Sequence, residues 1–347
     1  MVETSSTNEL GRFRMVVKTR LLFVLLILSL VYQAAFAEDV LSLQPDSSFS
    51  MSESSQARIP GDAQTIWDDY IFNTVSTRSL QSGCEPFQVR PEKGVAYRGV
   101  VILLHGFTSC PKQYRDMAKD FAEQGYHVLI PLLPGHGGAA ADELDAQTTL
   151  PGANNWFNYD AFSRWINTLA RGVSEGEVHI GGLCLGGTIA MRAMQLEPNL
   201  YARSMLFSPF FEVSTRLLGR LGRLLGRVND VLNIKNGFKL PIALEDEEVC
   251  EQVERRQLGR AGYCRVRLNH LIAVARFAHF VKTEMKPVHT RIQTIIVEND
   301  PVAHPGVTLA VLDGKIPSVP SGNPVCVLAA SASHSFFSTT DLPFPKP

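Results

Sequence analysis

The sequence predicts an α/β domain: a mostly parallel sheet with helices packed on its faces and one helical segment inserted late in the chain. Three observations carry this. Short apolar runs of strand length alternate with longer segments of helical period. The run Gly99-Val-Val-Ile-Leu-Leu104 is apolar without a break, as in a strand covered on both faces. The alternation then stops between residues 211 and 270, where no buried-strand pattern occurs.

Taken in order, residues 38–60 are rich in Ser, Asp and Gln and hold Pro45 and Pro60, which reads as a lead-in to the fold. A helix is expected over 63–72 and the first buried strand over 99–104. The next helix runs over 111–123, with Pro111 at its start and Gly125 just past its end. Strands follow at 127–130, 178–180, 204–207, 292–297 and 325–329, with helices at 156–172 and 188–196. Such alternation implies parallel strands joined by right-handed crossovers. The chain thus divides into a lead-in with first strands (38–96), a core (97–210), a helical cap or lid (211–270) and the rest of the core (271–347).

Within the cap segment, Arg216, Arg220, Arg223 and Arg227 recur at helical spacing, and so do Leu217, Leu221 and Leu224. Gly219, Gly222 and Gly226 form a third stripe. A surface helix with a solvated basic face is the plain reading. A lid that touches lipid or an anionic substrate is the sharper one.

The balance of 33 Lys+Arg against 34 Asp+Glu gives a net charge of −1, which argues against a nucleic-acid partner. A 45% hydrophobic content at low net charge excludes a disordered chain. Residues 1–37 stand apart. Arg12, Arg14, Lys18 and Arg20 precede the apolar run 21–32, and Ala35-Phe36-Ala37 follows. A basic stretch, a short apolar core and a small-x-small site make a signal peptide cut after Ala37. Met15 is an alternative start, and an uncleaved membrane anchor is the alternative reading. The apolar core is shorter than the ~20 residues that span a bilayer as a helix. Removing 1–37 leaves 29 basic and 32 acidic residues, a charge of −3, so the leader hides no basic patch.

Export permits disulfides. Of Cys84, Cys110, Cys184, Cys250, Cys264 and Cys326, the pair Cys250–Cys264 is nearest by locality. A second pair comes from Cys84, Cys110 and Cys326, leaving one thiol over, and Cys184 stays free for chemistry.

The strongest chemical signal is Gly182-Leu183-Cys184-Leu185-Gly186-Gly187, which follows a strand and opens a helix. A nucleophile on so sharp a strand–turn–helix bend needs small residues two before and two after it. The next residue, Leu185, offers its backbone N–H to a developing oxyanion, and the helix N-terminus favours negative charge at Cys184. The competing reading is a buried structural cysteine. His105-Gly106-Phe107-Thr108 ends the 99–104 strand, where the Phe107 N–H would be the second oxyanion donor; His105 reads as a packed, loop-shaping residue. The base is expected at His334, in Ser331-Ala-Ser-His-Ser-Phe-Phe337 after the last strand, since sites assemble at the C-terminal ends of parallel strands. His304 is its rival, and His136, in Pro134-Gly-His-Gly137, reads as structural. The acid that orients the base is expected at Asp300, in Glu298-Asn-Asp-Pro-Val302, with Glu298 and Glu212 as rivals.

The order nucleophile, acid, histidine, each after a parallel strand, resembles the α/β-hydrolase superfamily. The runs Val100-Val-Ile-Leu-Leu-His-Gly-Phe-Thr108 and Pro131-Leu-Leu-Pro-Gly-His-Gly137 resemble its monoacylglycerol-lipase and carboxylesterase branch, also described as serine-aminopeptidase-like. The likeness covers roughly 97–210 and 290–340. It implies a sheet of about eight strands, a helical cap, a small ester or lipid-like substrate, and hydrolysis through an acyl-enzyme. Carried over, Cys184 is the nucleophile, Asp300 the acid, His334 the base, and Phe107 with Leu185 the oxyanion hole. The branch normally has Ser where this chain has Cys184. Dienelactone hydrolases and polyhydroxyalkanoate synthases resemble this chain in using Cys there, and Cys184-Leu-Gly-Gly-Thr188 is close to the synthase pattern.

A thiolate attacks readily but also leaves readily, so a cysteine here favours activated esters, lactones, aryl esters or thioesters over amides. Its thioester intermediate survives long enough for an alcohol or amine to compete with water. The expectation is an exported cysteine-dependent carboxylic-ester hydrolase, with an acyltransferase or polymerase on the same scaffold as the alternative and a non-catalytic binding module as the minor one. No metal motif and no cofactor fingerprint is present: neither C-x-x-C nor H-E-x-x-H occurs, and the glycines at 182–187 belong to the bend.

Overall fold

The computed structural model describes residues 63–140, 145–214, 241–243, 263, 265–284, 286, 288–298, 300, 302–312 and 325–329. Residues 1–37, expected as a leader, the lead-in before residue 63, the arginine stripe at 216–227, Cys250, Cys264 and His334 lie outside the described residues.

Helix α1 (Ala63–Val75) runs three residues beyond its expected end. It buries Trp67, stacks Tyr70 at 4.4 Å from the Trp165 ring, and donates the Tyr70 hydroxyl to the Leu132 carbonyl at 2.8 Å. Strand β1 (Phe87–Val89) precedes β2 (Gly99–Leu104), whose six residues are all buried. The expected helix at 111–123 begins as a 3-10 turn (Pro111–Tyr114) and continues as α2 (Arg115–Glu123). Gly125, at φ +95, then turns the chain into β3 (Tyr126–Ile130); a side chain there would run into the Ala96 carbonyl. A 3-10 turn (Ala153–Asn155) leads to α3 (Asn158–Arg171), which buries Tyr159, Phe162, Trp165, Ile166 and Leu169 at helical spacing.

Strand β4 (Glu177–Leu183) is longer than its sequence signal, because Gly181 and Gly182 carry no apolar side chain to announce it. Helix α4 (Leu185–Leu196) is buried on nearly every side, as befits the helix under the sheet centre. Its one charge, Arg192, pairs through Nε with Asp160 and lies 4.7 Å over the Phe280 ring. Strand β5 (Arg203–Phe207) follows. The described part of the segment expected as a cap holds a two-stranded antiparallel ribbon, β6 (Pro241–Ala243) with β7 (Arg265–Arg267), and the start of α5 (Leu268–Thr283). Helix α5 buries Ala273, Val274, Phe277, Ala278 and Val281 in the main core. Strand β8 (Arg291–Val297), helix α6 (Pro305–Leu312) and strand β9 (Val325–Leu328) complete the order.

The sheet has seven strands among the described residues, ordered β1-β3-β2-β4-β5-β8-β9, where about eight were expected. All pairs are parallel except β1 with β3. The register sets the site. Leu104 lies opposite Gly182, Leu183 opposite Phe207, and Phe207 opposite Ile295. The loops after β2, β4, β5 and β8 therefore leave the same end of the sheet, bringing residues 105–110, 184, 208–214, 298, 300 and 302–304 to that end. Cys84 and Cys110 are joined by a disulfide, so the segment before β1 is stapled to the loop after β2. Cys184 and Cys326 are free, buried and exposed respectively.

Candidate active site

Cys184 sits between β4 and α4 with φ 52 and ψ −118, a conformation that a residue bearing a side chain adopts only under constraint. The constraint is visible. Its N–H donates to the Phe207 carbonyl at 2.9 Å, and its carbonyl accepts the N–H groups of Thr188 and Phe210, both at 3.1 Å. The flanking glycines are demanded by contact. A methyl group on Gly182 would lie 2.3 Å from the Gly186 carbonyl carbon, and one on Gly186 would lie 2.0 Å from the Leu104 oxygen. Helix α4 can therefore start directly against the end of β2 only because both positions are bare.

The loop after β2 closes the other side. A methyl group on Gly106 would meet the Cys184 Cβ at 3.7 Å and Leu183 at 3.5 Å, ordinary contact distances, so Gly106 faces Cys184 without being forced by packing. The Gly106 carbonyl accepts from His105 Nδ1–H at 2.9 Å and from the Ser109 N–H at 3.1 Å. The His105 Nε2 accepts the Leu133 N–H at 3.0 Å, which fixes the tautomer. This is the loop-shaping role expected of His105. His136 is also fully buried, with Nδ1 3.0 Å from the Pro134 carbonyl and Nε2 against the Phe107 carbonyl. Among the described residues, neither the Phe107 nor the Leu185 N–H donates to another group.

Asp300 is buried in the loop after β8, and its Oδ1 accepts the N–H groups of Val302 at 2.8 Å and Ala303 at 2.9 Å. Its sequence rivals are placed otherwise. Glu212 pairs with Lys282 at 2.8 Å, and Glu298 is exposed at the end of β8. His304 uses Nδ1 to accept the Val307 N–H at 3.3 Å, capping α6. Sequence reasoning missed the ties that hold these loops. Residues 212–214 bridge to 302–304 through His304 N–H to Glu212 O at 2.9 Å and Ser214 N–H to Val302 O at 3.1 Å. Tyr263 donates its N–H to the Thr108 carbonyl at 2.9 Å. Such backbone ties between distant loops leave no sequence signal. Among the described residues, no three His, Cys, Asp or Glu side chains form a set able to hold a metal ion. A cavity of about 250 Å³ lined by Trp67, Arg90, Tyr97 and His127 lies beside α1, away from Cys184.

Comparison with known proteins matches residues 96–320, well over half the chain, to the family model described as serine aminopeptidase, S33. A thermostable monoacylglycerol lipase of Bacillus sp. (strain H-257) is 30% identical over 124 residues, 34% of this chain and 42% of the relative. The match thus spans less than half of that lipase. A soluble variant of monoglyceride lipase from Saccharomyces cerevisiae, solved with a substrate analogue, superimposes with a TM-score of 0.50 at 14% identity, covering 73% of this chain and 84% of that one. That likeness establishes the α/β-hydrolase fold.

The buried histidines make stability depend on pH. Burial pushes His136 down to about 4, outweighing the two carbonyls that favour the charged ring, and pushes His105 well below 6.5, with the neighbouring His136 adding to the effect. Both folded values lie below the unfolded value near 6.5, so the unfolded chain binds more protons as pH falls. Their stabilisation is present above about pH 6.5 and is lost downward, by about 1.4 kcal/mol per pH unit for each ring. His127, His179 and His270 are lowered by burial too and add to the same trend, so urea unfolding between pH 6.5 and 4.5 is expected to show a slope of this sign, which His136→Gln reduces by one ring's share. Equal slopes for the two proteins would contradict it.

Proposed function

Because the chain belongs to the serine aminopeptidase S33 family of α/β-hydrolases, we propose that it is a carboxylic-ester hydrolase with Cys184 as nucleophile. The observation that carries this is the free thiol of a residue held at positive φ between β4 and α4, with its Cβ beside Gly106. The Cys184 sulfur attacks the ester carbonyl carbon while His334 takes the thiol proton. The oxyanion that forms is received by the N–H groups of Phe107 and Leu185, which no other described group occupies. Asp300 orients His334 and stabilises its charged form. When the carbonyl re-forms, the C–O bond breaks and the alcohol leaves with the proton from His334. Water, deprotonated by His334, then attacks the thioester and releases the acid, restoring the thiol.

Sulfur in place of oxygen sets the substrate class. The thiolate competes with the alkoxide as leaving group, which favours esters with good leaving groups over amides. The relation to a monoacylglycerol lipase supports a small acylglycerol or a comparable lipid-like ester as substrate. A second reading, acyl transfer to an alcohol, is favoured by the same sulfur, because a thioester reacts with alcohols as well as with water. The leader at 1–37 and the Cys84–Cys110 bridge support export to an oxidising compartment.

With a p-nitrophenyl ester, Cys184→Ala is expected to lower kcat by about 10³-fold or more. Unchanged turnover would remove Cys184 from the mechanism. His334→Ala is expected to slow acylation by about 10³-fold; near-normal activity would move the base to His304. Added alcohol yields only free acid with a strict hydrolase and a new ester with a transferase. Export predicts a mature protein whose mass begins at Glu38; retention of residues 1–37 would leave the membrane-anchored form.

A further inference from the structure

We propose that His136 is a positioning residue for the oxyanion donor on Phe107, a role that rests on the reading of Cys184 as nucleophile. Two peptide planes meet at the Phe107 Cα. The donor N–H belongs to the Gly106–Phe107 plane, and the Phe107 carbonyl belongs to the next one. The first plane is held through its oxygen by His105 Nδ1–H and the Ser109 N–H. In a trans peptide the N–H points opposite to the C=O, so these two bonds set its direction and polarise it. The second plane has His136 Nε2 against its oxygen, and the following Thr108 carbonyl accepts the Tyr263 N–H. His105 and His136 thus grip the two sides of one residue, their rings edge to face at 5.2 Å.

His136 is itself held fast. Arg78 donates to the carbonyls of Gly135 at 3.0 Å and His136 at 2.8 Å, and to the Thr149 hydroxyl at 3.0 Å. Thr149 returns a bond to the Gly135 carbonyl at 2.7 Å. Gly135 sits at φ +74 with no room for a side chain, so the turn that presents the ring has one shape. The ring packs edge to face on Phe107 at 5.7 Å. A neutral imidazole has one N–H, and the nearer of its two carbonyl neighbours, Phe107 O, takes it. His136 neither faces the ester nor exchanges a proton in the reaction. It fixes the backbone rotation about Phe107, so its loss lets the donor wander from the line of the developing oxyanion. That weakens the transition state and leaves ground-state binding nearly untouched.

The test uses the whole protein with a p-nitrophenyl ester at pH 8, comparing wild type with His136→Leu, His136→Gln and His136→Asn, each checked by thermal melting. Gln reaches roughly where Nε2 lies and keeps an N–H there; Asn is too short. The Leu and Asn variants are expected to lose about 10–100-fold in kcat with KM within about threefold of wild type. Gln is expected to recover to within about threefold of wild type. A folded Leu variant with wild-type kcat, or Gln and Asn variants equally slow, would overturn the proposal. Should the Leu variant fail to fold, the Gln and Asn pair decides alone. Cys184→Ala, run alongside, keeps the two readings apart. Its loss of turnover upholds the nucleophile whatever His136 does, and its retained turnover overturns that reading and this proposal with it.

Discussion

One backbone bend governs the candidate site. At Cys184 the chain passes from the end of a central strand into a buried helix with no loop between them, and it does so at φ 52. A bend of this kind costs on the order of 1–3 kcal/mol in an isolated chain. It persists because three backbone hydrogen bonds hold the residue and because Gly182 and Gly186 let helix α4 approach β2 to a distance that no side chain permits. The consequence is functional. Cys184 stands at the C-terminal end of the central strand, and the first N–H of the helix, on Leu185, is left without a partner among the described residues. The same contact that strains the backbone thus sets the proposed nucleophile and the proposed anion donor in adjacent residues.

The loop after β2 is held with comparable care. The Cys84–Cys110 bridge ties its far end to the segment before β1, His105 closes its near end onto the stretch after β3, and the Tyr263 N–H fastens its middle through the Thr108 carbonyl. With His136 against the Phe107 carbonyl, these attachments leave little freedom to the six residues that hold the proposed donor N–H. The loop after β8, with Asp300, is fastened to residues 212–214 in a similar way. The chain therefore enters and leaves the 215–262 segment at points bonded directly to the loops that flank the candidate nucleophile.

Much of this was legible in the sequence, and the reasons are specific. The six-residue apolar run of β2 reads as a doubly covered strand because it is one, and the spacing of Gly182, Cys184 and Gly186 is legible because steric exclusion permits few alternatives. The structural reading of His105 and His136 also follows the observed contacts. What was not legible depends on distance rather than pattern. Cys84, Cys110 and Cys326 are equivalent as letters, and only the fold brings the first two together. The start of α5 fell inside the expected cap because an apolar helix face looks alike whether it packs on a core or under a lid. Glu212 and His304 stand as candidates by position, and the contacts the fold gives them, an ion pair with Lys282 70 residues away and a cap on a helix, leave no pattern in the sequence. The role of His334 rests on sequence alone, since its loop lies outside the described residues.

On the proposed mechanism the Cys184 sulfur carries the acyl group during turnover. Intact-mass analysis of the full protein quenched in acid during reaction with an acyl donor, followed by peptide mapping, addresses it directly. A single added acyl mass, located on the peptide that contains Cys184 and released by hydroxylamine, is the expected result. An unmodified Cys184 peptide, with the acyl group on another side chain while ester is being hydrolysed, would contradict it.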